Sequence, residues 1–483
     1  MYLNELLDGT NLKCDKNVYI NKVKTNSKEV NKNDMFIAIK GFTHDGHNFI
    51  KEAINNGASV IIVNDDYKID DNKVIILKTI DTRIIVSKII SNYYHNPSRE
   101  FVLIGITGTK GKTTTSFMIK RILEESSNNV GYIGTLGSYI NEKLIYENDR
   151  TTPDSITLQR LFRIMADNNC KYVILEVSSI SLKQHRVDNC SFDIGIFTNF
   201  SKDHISVNEH PSLDDYFDSK TKLFEMCEVA FINNDDEQVR KVLNKRCIFK
   251  TYSIKYTSDK KAFDIIYLDN TISYKTNIYN KEEIITLRLP GSYEIYNSLA
   301  AISICEYLNI NKDYIIKGLK EVVVKGRYEI INNNIIIDYA HNPSSLENLL
   351  TTVNENKKGK IICVFGCGGN RDKTKRPIMG KISGLLSDYT IITSDNPRYE
   401  DRLDIINDIE EGIKLVTNNY KKIIDRTEAI KYALQICKKN DIIVLTGKGH
   451  ETYEEVNGIK YHYDEREIIK KIIDERSMKN ERI

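Results

Sequence analysis

The stretch VLIGITGTKGKTTTSF, residues 102–117, decides the fold. Its first half is an aliphatic run that reads as a buried strand. A glycine-rich loop follows, and "TTSFMIKRILEESS" then reads as a helix with Phe117, Ile119, Ile122 and Leu123 on one broad apolar stripe. A phosphate cradle needs backbone N–H groups turned inward, a lysine for the β/γ charge and a hydroxyl for Mg²⁺. Gly105, Gly108 and Gly111 give the room, Lys112 the charge and Thr113 the hydroxyl. The helix after the loop points its positive end at the anion. Ile106 stands where the strict G-x-x-x-x-G-K-[ST] pattern has its first glycine, but the shorter G-T-x-G-K-T-T form is present. A plain glycine turn with an incidental lysine is the competing reading. The coincidence of strand, loop, Lys-Thr and helix favours the cradle.

Outward from this loop the chain repeats one theme. "KYVILEVSS", "DIGIFTNF" and "EVAFINNDD" are strands running into polar ends, separated by helical patterns. Such alternation predicts a mostly parallel sheet with helices on both faces. Near the start, "HNFIKEAINNGASVIIVND" gives a helix, a glycine stop at Gly57 and a strand through Val60–Val63. "YYHNPSRE" around Pro97 reads as a linker, and a second change of unit falls near Lys325. After it, "GKIICVFGCGG", "DYTIITSDNP" and "NDIIVLTGKGH" are strands whose carboxyl-end loops would collect ligands. The 483 residues suit three domains at about 150 each. The expected fold is α/β: residues 1–97 a small N-terminal domain, 98–325 a central P-loop domain, 326–483 a C-terminal Rossmann-like domain.

Composition narrows the function. Charged residues are 28 % of the chain and the net charge is +2, without a basic block, so nucleic acid is not the expected partner. No signal-like N-terminus and no apolar run of about 18 residues is present, so a cytoplasmic protein without membrane insertion is expected. The nine cysteines are scattered and read as reduced, buried thiols; Cys363 and Cys367 lack a second pair to complete a zinc site.

Further motifs follow in order: "TTPD" at Thr151, "LEVSS" at Leu175, "FTNFSKDH" at Phe197, "DSKTKLF" at Asp218, "LPGSYEIYNSLAA" at Leu289, "VKGRYE" at Val324, "IDYAHNP" at Ile337, "FGCGGNRD" at Phe365, "TSDNPR" at Thr393 and "TGKGHE" at Thr446. Together they resemble the Mur ligases, ATP-dependent amide-forming enzymes of peptidoglycan precursor synthesis. The nearest branch is the one that joins the third amino acid to UDP-N-acetylmuramoyl-L-alanyl-D-glutamate. The resemblance implies domains for the UDP end, for ATP and for the incoming amino acid. It implies ATP, two Mg²⁺ ions, an acyl-phosphate intermediate, small-molecule substrates and a monomer.

What it implies residue by residue is specific. Gly108, Thr109, Lys110, Gly111, Lys112, Thr113 and Thr114 would cradle the phosphates. Thr113, Glu176 and His204 would hold metal, and Lys220 would do so as a CO₂-derived carbamate; from spacing alone Lys220 is an exposed structural lysine. Lys112, Lys220, Glu176 and His204 would be the catalytic set. Asn297, Arg327, Asp338 and His341 would serve the rest of the nucleotide. The UDP-muramoyl dipeptide would meet Thr151, Thr152, Ser178, Gln184 and Arg186, with Ser27 and the Phe42–Thr43–His44 loop at its uridine end. The diamino acid would meet Arg371, Asp395, Asn396, Pro397, Arg398, Gly447 and Glu451. Asp395 can face an ammonium, and Arg398 can grip a carboxylate with two parallel hydrogen bonds. In the family D-N-P-R accompanies diaminopimelate, whereas lysine-adding members differ at the Arg position. His450 is expected to be structural.

The sequence also departs from the family pattern: Ile180 stands for His, Lys110 for Asn, Tyr293-Glu294 for Phe-Asn, and Thr25-Asn26 and Lys28 for a D-S-R-type stretch. These leave room for a paralogue with a shifted substrate, lysine-adding or folylpolyglutamate- or cyanophycin-like. None touches Lys112, Glu176 or Lys220.

Overall fold

In a computed structural model the chain is described over residues 1–41, 44–202, 209–244, 247–268 and 271–480, Asn244 and the last five by backbone alone. It divides into two compact units. The first comprises Met1–Phe263, Lys275–Glu283 and Ile295–Leu319; the second comprises Asp264–Tyr274, Ile284–Glu294 and Lys320–Ile483.

The first unit opens with a four-stranded parallel sheet in the order Val23–Lys24, Met35–Ile37, Val60–Asn64, Ile75–Thr79. Side chains alternate across a strand, so one run feeds two cores. Met35, Ile37, Val60 and Ile62 pack with Ile85 and Ile89 of the helix Thr82–Tyr93. Phe36, Ala38, Ile61 and Val63 pack with Ile50 and Ala53 of the helix Ile50–Asn55. Gly57, φ +104°, stops that helix as expected. The segment around Pro97 holds a 3₁₀ turn, Pro97–Arg99, with Pro97 and Ser98 buried. Ser98 Oγ accepts from Ser191 N at 3.1 Å, which ties it to the larger sheet's surroundings.

That larger sheet has nine strands in the order Lys260–Lys261, Ile248–Ser253, Cys227–Asn233, Phe192–Phe197, Val102–Thr107, Tyr172–Glu176, Val130–Gly134, Gly137–Ile140, Lys143–Tyr146. The first seven run parallel and the last two turn back antiparallel. Val102–Thr107 lies between Phe192–Phe197 and Tyr172–Glu176, so the glycine loop leaves the middle of the sheet. The helix after it is Lys112–Glu125, which buries Ile119, Ile122 and Leu123. Further along, Phe263–Leu268, Thr271–Ile278 and Lys281–Leu287 form a three-stranded sheet in chain order, which sequence patterning did not indicate.

The second unit holds six strands in the order Glu329–Ile331, Ile335–Asp338, Ile442–Thr446, Ile361–Phe365, Tyr389–Ile392, Tyr420–Lys422, all parallel except the first. A separate hairpin pairs Tyr453–Val456 with Ile459–His462. The three predicted strands are present, and "SDNPR" and "GKGHE" both follow carboxyl ends. All nine cysteines are free, five buried and four partly exposed, so burial is less general than the sequence suggests. Among the described residues no helix is long and apolar enough to cross a membrane.

One buried ion pair locks this unit. Arg426 Nε donates to Glu465 Oε1 at 2.8 Å and its Nη2 to the Thr446 carbonyl at 2.9 Å, with both side chains almost wholly buried. Arg426→Ala leaves Glu465 without its counter-ion, and urea unfolding is expected to show a loss of about 3–5 kcal/mol. A loss under ~1 kcal/mol contradicts that role.

Candidate functional site

The glycine loop is held open by its neighbours. Gly108 has φ +145° and Gly111 φ +81°. A Cβ on Gly108 would collide with the Thr198 hydroxyl, and one on Gly111 with Asn297 Oδ1. Thr109 N donates to Asn199 O at 2.9 Å, Lys110 N to Asn199 Oδ1 at 3.0 Å, and Thr198 Oγ1 to Lys110 O at 2.6 Å. "FTNF" therefore shapes the loop from the adjacent strand. Thr115 Oγ1 donates to Asn297 Oδ1 at 3.2 Å, so Asn297 joins the first turn of the helix, as does Thr114, which is buried there. Lys112 Nζ donates to Gly108 O at 2.7 Å and to Thr109 O at 3.2 Å.

Two side chains complete this face. Glu176 ends its strand fully buried, and three hydroxyls donate to its carboxylate: Tyr132 at 2.5 Å, Thr135 at 2.9 Å and Thr113 at 3.1 Å. Lys220, 1 % exposed, donates to Gly108 O at 2.9 Å and sits 4.6 Å from the Tyr216 ring centroid. The spacing-only reading of Lys220 as exposed is thereby overturned; the helix Leu213–Thr221 turns it inward. Among the described residues no three His, Cys, Asp or Glu side chains gather as a metal site. His204, Phe42 and Thr43 lie outside the described residues.

Beside Glu176, Thr152 Oγ1 donates to the Glu176 carbonyl at 2.8 Å and accepts from Ser178 N at 3.0 Å. Thr151 meets Thr135 at 3.2 Å between hydroxyls. Arg186 donates to Thr152 O at 2.9 Å and to Gln184 Oε1 at 2.6 Å. Burial, aided by Arg150, lowers its pKa to about 10. These residues form one cluster. Ser27 and His44 are in the small sheet's loops. Ser27 is buried with its hydroxyl on Glu52, 2.5 Å away, and His44 is exposed.

In the second unit, Arg327 lies over the Tyr339 ring, 4.7 Å from its centroid, and the rings of His341 and His450 lie 4.6 and 4.7 Å from it. Asp338 accepts from Tyr328 N and Ala340 N, each at 2.8 Å; burial raises its pKa, opposed by Arg327. Burial lowers the His450 pKa to about 3, helped by Arg327 and Arg466, so the ring is neutral, in keeping with a structural role.

The "SDNPR" and "GKGHE" loops meet. Asn396 Nδ2 donates to Glu451 Oε2 at 2.7 Å, and Lys448 Nζ to Asn396 Oδ1 at 3.0 Å. Asp395 Oδ2 is buried without a hydrogen-bond donor among the described residues, and a Cβ on Gly447 would sit 2.6 Å from it. Burial, then the charge of Asp395, raises the Glu451 pKa to about 7. Pro397 leads into Arg398, whose φ of +53° is uncommon for a side-chain-bearing residue. The hairpin strand and the loop at Gly369 hold it there: Arg398 N donates to Glu455 O at 3.0 Å, its Nε to Glu455 Oε2 at 3.1 Å and its Nη1 to Gly369 O at 2.9 Å. Arg371 is exposed on the neighbouring loop.

Sequence reasoning missed Tyr132 and Thr135 at Glu176, Lys448 beside the acids, and Glu455. Lys448 was findable, lying inside "GKGHE" between Gly447 and Glu451. Glu455 was not, because only the hairpin brings it to Arg398.

A parallel sheet that delivers a Gly-Lys-Thr loop, in a chain that also carries this acid-and-guanidinium loop, is the setting in which the comparisons identify an ATP-dependent ligase. Three family models match in succession: the Mur ligase family catalytic domain at residues 19–106, the Mur ligase middle domain at 106–305 and the Mur ligase glutamate ligase domain at 326–449. A UDP-N-acetylmuramoyl-L-alanyl-D-glutamate–2,6-diaminopimelate ligase 2 of Clostridium acetobutylicum is 42 % identical over 98 % of this chain and 100 % of its own. A ligase of the same description from Clostridioides difficile is 43 % identical over 97 % of this chain and 98 % of its own. The chain belongs to the Mur ligase family. A solved UDP-N-acetylmuramoyl-L-alanyl-D-glutamate–2,6-diaminopimelate ligase aligns with a TM-score of 0.70 at 26 % identity, covering 99 % of each chain. The folylpolyglutamate synthase of Mycobacterium tuberculosis shares the fold, with a TM-score of 0.62 at 18 % identity over 76 % of this chain and 92 % of its own.

Gly108→Ala places a methyl group on the Thr198 hydroxyl in a backbone region that favours glycine. It is expected to weaken ADP binding by at least ~10-fold in calorimetry while the protein stays folded. Unchanged affinity contradicts a nucleotide role for the loop.

Proposed function

We propose that this chain joins diaminopimelate to UDP-N-acetylmuramoyl-L-alanyl-D-glutamate at the expense of ATP, as a step in making peptidoglycan precursors. A carboxylate resists attack by an amine in water, so it is first phosphorylated. The bond between the γ-phosphorus and its bridging oxygen breaks, ADP leaves, and an acyl phosphate forms. The amine nitrogen then attacks the acyl carbon; phosphate departs and the amine loses a proton. Positioning and charge neutralisation supply most of the rate in such transfers.

In this reading Lys112 meets the β/γ-phosphates, and the backbone of Gly108 to Thr114 cradles them. Mg²⁺ would be held by Thr113 and Glu176, with His204 and a carbamate on Lys220 for a second ion. The buried carboxylate and hydroxyl are oxygen donors of the kind a hard cation takes. When bound, the metal would neutralise charge building on the phosphoryl oxygens. Asn297, Arg327, Asp338 and His341 hold the remainder of the nucleotide. The dipeptide lies at Thr151, Thr152, Ser178, Gln184 and Arg186, with its uridine end at Ser27 and the residue 42–44 loop. The reading includes the domain limits at residues 97 and 325, a cytoplasmic location and a monomer.

The observation that carries the choice of amino acid is the acid pair beside Arg398. Asp395 has a buried oxygen without a donor among the described residues, and burial with the charge of Asp395 raises the Glu451 pKa to about 7. An ammonium is the group that satisfies both. Arg398 and Arg371 suit the carboxylates of the same molecule.

Two measurements test this. Phosphate release is expected only when ATP, the dipeptide and diaminopimelate are all present; release with glutamate and a folate instead contradicts it. Arg398→Ala is expected to raise the KM for diaminopimelate about 10–100-fold, the loss of a charge-assisted hydrogen bond, with the KM for ATP nearly unchanged. Equal effects on both overturn the assignment. The Glu451 proton gives an independent check. Below pH 7 the group is protonated, and an arriving ammonium favours its ionised form. Calorimetry at pH 6 in buffers of different ionisation enthalpy is expected to show release of about one proton on binding diaminopimelate. No release contradicts an ammonium at Glu451.

A further inference from the structure

Close to Glu176 lies a chain of hydrogen bonds to which the proposed function gives no role. His210 is fully buried, and both ring nitrogens are engaged: Nδ1 lies 2.6 Å from Asp215 Oδ2 and Nε2 lies 2.9 Å from Ser179 Oγ. Beside an ionised Asp215, Nδ1 carries the proton and Nε2 accepts from the serine hydroxyl, which is the neutral ring. Burial favours that form against the pull of Asp215, and Lys183 and Lys220 act in the same direction as burial.

The two partners stand on different site-bearing elements. Ser179 opens the short helix Ser179–Lys183, three residues after Glu176. Asp215 lies in the first turn of Leu213–Thr221, the helix that presents Lys220. Lys183 reinforces the bridge, with Nζ 2.8 Å from Asp215 Oδ2 and 3.2 Å from the Glu209 carbonyl. The imidazole also rests against Tyr216, with ring centroids 5.0 Å apart. Tyr216 in turn underlies Lys220 and donates from its hydroxyl to Thr109 Oγ1 at 3.3 Å. One ring thus touches both supports of Lys220: its helix, through Asp215, and its aromatic platform. The order Ser–His–Asp has the connectivity of a nucleophile triad, but Ser179 is itself buried, so the chain suits holding rather than attacking.

We propose that His210 is a positioning residue that fixes the Lys220 helix against the turn after Glu176, and so keeps Lys220 on the Gly108 carbonyl. What Lys220 does there rests on the function proposed above; the tie itself does not.

The test therefore has one arm that needs no turnover. A limiting amount of a water-soluble succinimidyl ester acylates lysines, and peptide mass spectrometry reads the rate at each. Lys260 and Lys448, both buried elsewhere, serve as references. In His210→Ala and in Ser179→Ala, acylation of Lys220 is expected to rise at least ten-fold while Lys260 and Lys448 change less than two-fold. An unchanged Lys220 rate, or a common rise at all three lysines, overturns the proposal. Ser179→Ala removes a single hydroxyl and keeps the test open should His210→Ala fail to fold. The second arm is kinetic: His210→Ala is expected to lower kcat at least thirty-fold with less than a three-fold change in the KM for ATP. Because His210, Ser179 and Lys220 act as one unit, the kcat losses of Ser179→Ala and His210→Ala are expected not to multiply in the double variant. Multiplying losses, or an unchanged kcat beside a freed Lys220, contradict it. A wild-type protein inactive with dipeptide and diaminopimelate would sink the function and leave the labelling arm to decide the tie.

Discussion

The carbonyl oxygen of Gly108 receives two ammonium groups, Lys112 Nζ at 2.7 Å and Lys220 Nζ at 2.9 Å. Lys112 arrives from the loop's own helix and Lys220 from a helix more than a hundred residues later. Two cations this close repel strongly where water is scarce. The shared carbonyl dipole offsets part of that repulsion, and a polyanion would offset more. In the proposed function, a carbamate at Lys220 would change one of the two charges from positive to negative.

The second unit solves the complementary problem. Asp395 and Glu451 crowd acid groups where burial disfavours charge, and burial together with the charge of Asp395 raises the Glu451 pKa to about 7. Lys448 and Asn396 brace the pair, and the hairpin fixes Arg398 in a left-handed backbone that few residues adopt freely. Rigid placement of charge before the substrate arrives is what amide ligation requires, because both phosphoryl transfer and amine attack depend on orientation more than on covalent help from the protein.

Much of this was legible in the sequence. The aliphatic run into Gly105–Thr113 announced its strand, loop and helix through local signals alone, and the second unit's strands did the same. The glycine loop's shaping by Thr198 and Asn199 was half legible, since "FTNF" ends a strand but gives no sign of its neighbour. Three things were hidden. Lys220 reads as exposed because the helix Leu213–Thr221 is polar along most of its length, and nothing local marks which face of it is buried. Tyr132 and Thr135 come to Glu176 by parallel pairing of Val130–Gly134 with Tyr172–Glu176, a long-range register that no local pattern encodes. The turn at Pro97 carries ordinary loop residues and is nonetheless buried, because its partner at Ser191 lies nearly a hundred residues away.

The central claim is that the nucleotide's terminal phosphoryl passes to an acid of the dipeptide before the amine arrives. Labelling the dipeptide carboxylates with ¹⁸O and running one turnover tests it most directly. The phosphate released is predicted to carry one ¹⁸O atom, taken from the carboxylate when its acyl bond breaks. Phosphate free of the label, alongside a normal yield of amide product, would contradict the account.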